Sequence, residues 1–303
     1  MPTTYQDISR QTSNVALPAD VAQEIWGKAV EGSAFMQLAR RINIPGTGTT
    51  VQTIAGEPTA NWVAETNAKP VSSHTFGKHA ITPYKLAVIE AFSSEFLRDK
   101  KGLYDECVRR LPAALGRKFD STIMGSTAPG TGFDVLGTGV SAVSILAGQS
   151  TTTYGQFVAV DGAISAADGI MNAIALAPQG KSIVLGATDT TGRPLFTAGV
   201  GSNTVGAILG ADVAISKGVY VAGAAATSTP AVVGVAGDFS GVVWGSVEDV
   251  QMSVSDQATL TSGNTTINLW QDNMVAIRFE IEIAFGVMDK SQLVLLTGVT
   301  PSA

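Results

Sequence analysis

The segment NMVAIRFEIEIAFGVMD, Asn273 to Asp289, alternates with period two almost without error. Val275, Ile277, Phe279, Ile281, Ile283 and Phe285 share one parity, and Met274, Ala276, Arg278, Glu280, Glu282 and Ala284 share the other. Side chains on a strand point to opposite faces in turn, so this run predicts a long β-strand with an apolar face and a largely charged one. The charged face is the odd part. Charged residues make up only 15% of the chain, well below the usual quarter.

Low charge combined with 33 glycines leaves much weakly polar surface, of the kind that other chains often cover. With 303 residues and 45% hydrophobic content, the chain can build one large domain or two smaller ones around a sizeable core. The net charge of −6 argues against a general nucleic-acid binder, which needs a basic face. It does not exclude a container whose wall must not stick to its contents. The single cysteine, Cys107, allows no intrachain disulfide and lies in a helical context, LYDECVRRL, as a packed thiol. The opening MPTTYQDISR is polar and unlike a signal peptide, and no apolar run is long enough to span a membrane. The Asn264 sequon therefore carries little weight.

Residues 1–20 read as an extended arm, followed by a short helix with Val21, Ile25, Ala29, Phe35, Leu38 and Ile42 at helical spacing. Residues 45–92 have strand-like ends, near Thr50–Ile54 and His79–Phe92. Between them lies a polar stretch with Gly56, Pro58, Pro70 and Gly77, which predicts a projecting β-hairpin. Such a hairpin is poorly stable alone and should lie on something else. Ser93 or Ser94 can cap a short helix ending near Gly102. Leu103, Cys107, Leu111, Leu115, Phe119 and Ile123 then recur every four residues, predicting a helix on the order of 35 Å long that ends at Gly125, with Pro112 as a kink. Residues 126–155 read as loop, 156–177 as a second helix, and SIVLGA, VGAILGADVAIS and AVVGVAGDFSGVVWG as β-like pieces. EDVQMSVS alternates and should pair with the long strand, and DQATLTSGNTTINLWQD between them reads as loop. The sum is an α+β chain.

No ordinary active site emerges. His74 and His79 would fall on opposite faces of a strand and make a poor metal pair. GSNTVG and GDFSG supply no nucleophile elbow with a matched base. PGTGFDVLG lacks the third glycine and the preceding strand of a dinucleotide fingerprint.

Four stretches, in order, carry a resemblance: WVAETNAKPVSSHTFGK, then FSSEFLRD with LYDECVRRLPAALGRKFDSTIMGS, then DTTGRPLF, then QDNMVAIRFEIEIAFGVMD. Together they resemble the major capsid protein of tailed bacteriophages, of the HK-ninety-seven type, over about 17–296. The resemblance implies an arm and short helix (1–44), an extended loop (45–92), a peripheral domain with a long spine helix (93–128 and 247–303) and an axial domain (129–246). It implies a structural protein without cofactor that assembles with itself into hexamers and pentamers, forming a head that encloses double-stranded DNA without reading it. Implied partners are a portal and, since only about twenty residues precede the first helix, a separate scaffold; a decoration protein is a further candidate. The implied location is the virion, with assembly in the host cytoplasm. An encapsulin, the nanocompartment shell of the same fold, is the alternative. A Gly-rich α+β enzyme is a third reading, and it lacks a convergent site.

In the type member a loop lysine forms an isopeptide bond with an asparagine of a neighbouring subunit, helped by a glutamate. The resemblance carries these roles onto Lys69, which precedes Pro70, onto Asn273 at the strand's mouth, and onto Glu280 seven residues later. The amine must be neutral to attack, and burial would raise the carboxylate's pKa toward the role of base. Asn273 and Glu280 differ in parity, so one regular strand would point them to opposite sides. Acting together, they would come from different subunits, and the site would exist only where three chains meet.

Overall fold

The protein is seen in a computed structural model that describes residues 32–56, 59–63, 65, 68–69, 71–73, 75–99, 101–146, 152–188, 193, 195, 207–224, 229–248, 251–262 and 265–299. The expected arm, the start of the first helix, Pro70, His74, most of 189–196, and the side chains of Leu103 and Cys107 lie outside the described residues.

In chain order the elements are α1 (Ala34–Leu38), β1 (Arg40–Asn43), β2 (Thr49–Gly56), β3 (Thr75–Ile81), β4 (Tyr84–Ser93), α2 (Ser94–Asp99), α3 (Lys101–Met124) and β5 (Ser141–Ser144). There follow α4 (Thr153–Ser165), β6 (Ala173–Leu176), α5 (Pro178–Leu185), β7 (Asp212–Ile215), β8 (Ala231–Gly237) and β9 (Val242–Ser246). The last are β10 (Gln251–Ser255), β11 (Thr259–Ser262), β12 (Thr265–Asn268), β13 (Met274–Val287) and β14 (Leu293–Val299).

The alternating segment is β13, and it organises the first sheet. Along one edge it pairs antiparallel with β4, from Met274 opposite Ser93 to Ile283 opposite Tyr84. Along the other edge it pairs first with β10 and then with β9, and β9 in turn pairs parallel with β1. Its apolar parity is buried throughout, and it faces Leu111, Leu115, Phe119 and Ile123 of α3 in one core. Phe285 is the hub. Its ring meets Phe35 at 5.6 Å and Phe119 at 6.0 Å, both edge to face, and Phe133 at 6.1 Å. Edge-to-face contacts match positive ring edges to negative ring faces and add about 0.5–1.5 kcal/mol each beyond burial.

The second sheet runs β5-β14-β8-β6-β7 and is covered on both faces. Ala173 and Ala175 of β6 and Leu293 and Leu295 of β14 face the first core. Ile174, Leu176, Val294 and Leu296 face Phe157, Val160 and Ile164 of α4 and Val184 of α5. Burial on both faces explains the continuous apolar runs AIAL and LVLL. The strand at 293–299 thus pairs with segments around 141 and 231, not with β13.

Several local expectations are corrected. The helix expected to reach Ile42 stops at Leu38, because Arg40–Asn43 pairs with β9 instead. The expected descending strand His79–Phe92 is two strands. Pro83 has no N–H to donate, and the Thr82 N–H bonds Gly132 O at 2.8 Å, so β3 belongs to the hairpin and β4 to the body. The helix expected over 156–177 ends at Ser165, where Asp168 turns left-handed and Gly169 N bonds Ile164 O at 3.0 Å. SIVLGA is mostly helical, in α5, with Pro178 opening its first turn. The loop expected before β13 contains the β11–β12 hairpin. Its Ile267, with the following Leu269, buries Met274 and Ala276 of β13.

The hairpin of β2 and β3 is fastened at its foot. Ile81 packs with Ile44, Val243 and Ala284. His79 Nε2 meets Asp134 Oδ2 at 2.7 Å, and the same oxygen accepts from Val287 N at 2.8 Å. Lys290 Nζ lies 3.4 Å from Asp134 Oδ1 and donates to Val135 O at 2.9 Å. Gly48, at φ +82°, could not carry a Cβ, which would sit 2.7 Å from Ile81 O.

Candidate functional site

The second parity of β13 is not charged along its whole length. Met274 and Ala276 are covered at one end. At the other, Ala284 is covered and Gly286 lies directly beneath Ile81. Only the middle is open to solvent, and it holds Arg278, Glu280 and Glu282. Lys85 of β4 stands opposite Glu282 in the register and diagonal to Glu280. Glu248 and Gln251 line the other side, with Gln251 Nε2 bonding Glu248 Oε2 at 2.5 Å.

Both oxygens of Glu280 are engaged. Oε1 pairs with Lys85 Nζ, and Oε2 lies 3.1 Å from Arg278 Nε. Lys85 Nζ also lies 3.4 Å from Glu282 Oε1. Glu280 is 13% exposed, whereas Lys85 and Arg278 are about half exposed. The hydrogen bond from Lys85, with the Arg278 charge, holds the Glu280 carboxyl below its usual range against the opposing effect of burial. The same bond raises the Lys85 ammonium. The sequence led us to expect a carboxylate raised by burial. Within one chain the shift has the opposite sign, because two cations reach it.

Asn273 is exposed at the mouth of β13 with φ +52°, a backbone conformation that Asn tolerates and most side chains resist. A stiff turn delivers it there. Asn268 Oδ1 accepts from Trp270 N at 3.2 Å, Asp272 Oδ2 accepts from Asn268 N at 3.1 Å, and Met274 N bonds Leu269 O at 2.7 Å. The Asn273 carbonyl accepts from Ser94 N at 2.8 Å, tying the turn to the start of α2. Asparagine therefore has a backbone reason to stand here, apart from any chemistry of its carboxamide.

Lys69 is exposed in the segment between β2 and β3. The same hairpin exposes apolar side chains: Trp62 and Val71 are essentially fully exposed, and Phe76 is 70% exposed. Asn273 directly precedes the strand that carries Glu280, but Glu280 is bound up with Lys85 and Arg278, while Asn273 ends a turn on the α2 side. Sequence reasoning missed Lys85. Its position in PYKLAV shows only an alternating strand, and the diagonal contact depends on a register set by the whole sheet. It also missed Asp134, which lies in a loop. Among the described residues no cluster of His, Cys, Asp and Glu could hold a metal ion, and no helix is long and apolar enough to cross a membrane.

Known proteins sharpen the picture. The profile of the phage capsid family matches residues 13–298. The probable major capsid protein gp17 of Mycobacterium phage L5 is 31% identical, across 93% of this chain and 89% of that protein. A solved structure from Mycobacterium phage Ogopogo superposes with a TM-score of 0.71 at 21% identity, covering 88% of this chain and 92% of that one. The capsid of an empty GTA particle, computed with C5 symmetry, superposes with a TM-score of 0.63 at 16% identity, covering 97% and 96%.

Proposed function

Because the chain belongs to the phage capsid family, we propose that it is the major capsid protein of a tailed phage and assembles with copies of itself into hexamers and pentamers that close an icosahedral head. The observation that carries this reading is the family match, which runs through hairpin, long helix and both sheets rather than resting on one motif. The exposed hairpin supports it. A monomeric protein has no use for a fully exposed Trp62 and Val71 on an arm whose foot is so firmly fastened. The net charge of −6 suits a wall that encloses DNA without holding it. Portal, scaffold and decoration proteins would complete the particle. The peripheral domain would be built on α3 and the first sheet, and the axial domain on the second. The nanocompartment alternative is not favoured, because the family and the curated relative are phage capsid proteins. Electron microscopy of particles formed by the chain, alone and with a scaffold, should show shells divisible into hexamers and pentamers. A chain that stays monomeric under both conditions would sink the proposal.

Crosslinking is the finer part of the reading. The neutral Lys69 amine of one copy would attack the Asn273 carboxamide carbon of a second. The new C–N bond forms as the old one breaks, and Glu280 of a third copy carries the amine proton to the departing nitrogen, which leaves as ammonia. The exposure of Lys69 and Asn273 supports this. Boiled particles should give covalent ladders on a denaturing gel, lost in Lys69→Arg and in Asn273→Gly, which keeps the left-handed backbone. A gel showing only monomer from mature particles would end this part of the proposal.

A further inference from the structure

The contacts of Glu280 raise a question that the crosslinking reading alone does not answer. A proton acceptor works best when no cation competes for its lone pairs, and in the single chain each oxygen of Glu280 already holds one. An ammonium, that of Lys85, already occupies Oε1. It comes from β4, diagonal across the pair, and its chemistry is that of the lysine the reaction would bring from another copy. Around it stand Arg278 and Glu282 of β13 and, from the β10 side, Glu248 with Gln251. Three carboxylates and two cations share this face, so one more cation fits its charge.

We infer that Lys85 is a placeholder, holding in the lone subunit the seat on Glu280 Oε1 that Lys69 of another copy takes in the shell. This rests on the crosslinking reading and adds a control to it. Three features support it. Exchange of one ammonium for another leaves the charge on Glu280 balanced, so it avoids the cost of stripping a largely covered carboxylate of its partner. Lys85 has a second seat ready, since Glu282 Oε1 is already 3.4 Å away and is the more exposed carboxylate. Arg278 stays on Oε2 throughout and keeps the carboxylate oriented. While Lys85 is seated, Glu280 is both occupied and a weaker base than an ordinary carboxylate. The crosslink is thereby withheld until a neighbour's loop arrives to compete. Lys85 is a positioning residue in this scheme: it leaves Oε1 before the reaction and meets neither the Lys69 amine nor the Asn273 carboxamide.

The test compares the onset of ladders in wild-type, Lys85→Met and Lys85→Arg particles at a series of pH values. Lys85→Met keeps the aliphatic stem and removes the cation. It should crosslink about tenfold faster, a small part of what a positioned general base contributes. Its acid limb should move to higher pH, since Glu280 returns toward its ordinary value. Lys85→Arg should keep the wild-type onset. Should Lys85→Met fail to assemble, Glu282→Gln provides the second test: it removes the alternative seat, and onset should slow. Ladders with equal onset and equal acid limb in wild-type and Lys85→Met overturn the placeholder while leaving the crosslink intact, as does an unchanged onset in Glu282→Gln. No ladder in any variant overturns both.

Discussion

The two ends of the β2–β3 hairpin are built on opposite principles. At the foot, nearly every group is spoken for. Ile81 is buried among Ile44, Val243 and Ala284, Asp134 receives His79, Lys290 and the Val287 N–H, and Tyr84 Oη donates to Thr131 O at 2.8 Å. Toward the far end, Trp62 and Val71 stand in solvent, and a bond such as Thr59 N to Ser72 Oγ, 2.9 Å, holds the two sides together. The foot spends its contacts on direction, whereas the far end leaves its apolar side chains in solvent. In the proposed shell a stiff base would make that surface useful, because less conformational freedom would remain to be lost on binding a second copy.

This contrast can be broken by substitution. Ile81→Ala should cost the folded subunit about 2–5 kcal/mol, read by urea unfolding, because a packed site loses its filling. A loss under 1 kcal/mol would mean the foot is not a true core. Asp134→Ala should cost about 1–3 kcal/mol, since it strips partners from two side chains and one backbone N–H. It should also raise amide exchange across 75–81, and unchanged exchange there would show that Ile81 alone holds the hairpin. Removing the Lys85–Glu280 pair should matter least at the foot. Its sign follows from the direction of the shift. The folded carboxyl of Glu280 sits below its ordinary value, so the stabilisation is present above that value and fades as pH falls through the folded one. Acid titration of Glu280→Gln against wild type should show the two curves converging at low pH, and parallel curves would contradict the pairing. Trp62→Ala should change subunit stability by less than about 0.5 kcal/mol, as for an uncovered surface residue. It should nevertheless weaken assembly, measured by the protein concentration needed for shells. A large stability loss with normal shells would reverse the proposed division of labour.

The most legible elements had a period that a single chain can impose. Val275 to Phe285 announced β13, and Leu111, Leu115, Phe119 and Ile123 announced α3, because in each the buried face repeats at the geometry's own interval. Elements shaped by their neighbours were harder to read. The β11–β12 pair is rich in threonine and resembled a loop, though its Ile267, with Leu269 beyond it, covers the end of β13. The LeuAlaVal run after Lys85 reads as strand, yet nothing local says that Pro83 detaches it from β3. SIVL has strand-like composition, but Pro178 and packing against the second sheet make it helical. At the site, Lys69, Asn273 and Glu280 were legible only through family resemblance. The cations on Glu280 were not legible at all, since cross-strand partners appear only once register exists.

The second sheet carries a consequence for how copies are made. β14 fills the slot between β8 and β5, which was synthesised some one hundred and fifty residues earlier. Until residues 293–299 leave the ribosome, that slot is vacant and β5 lacks its ladder. Nascent chains growing side by side on one message therefore cannot offer each other finished surfaces. In the proposed shell, translation would thereby act as a timer between the folding of each subunit and its assembly with others.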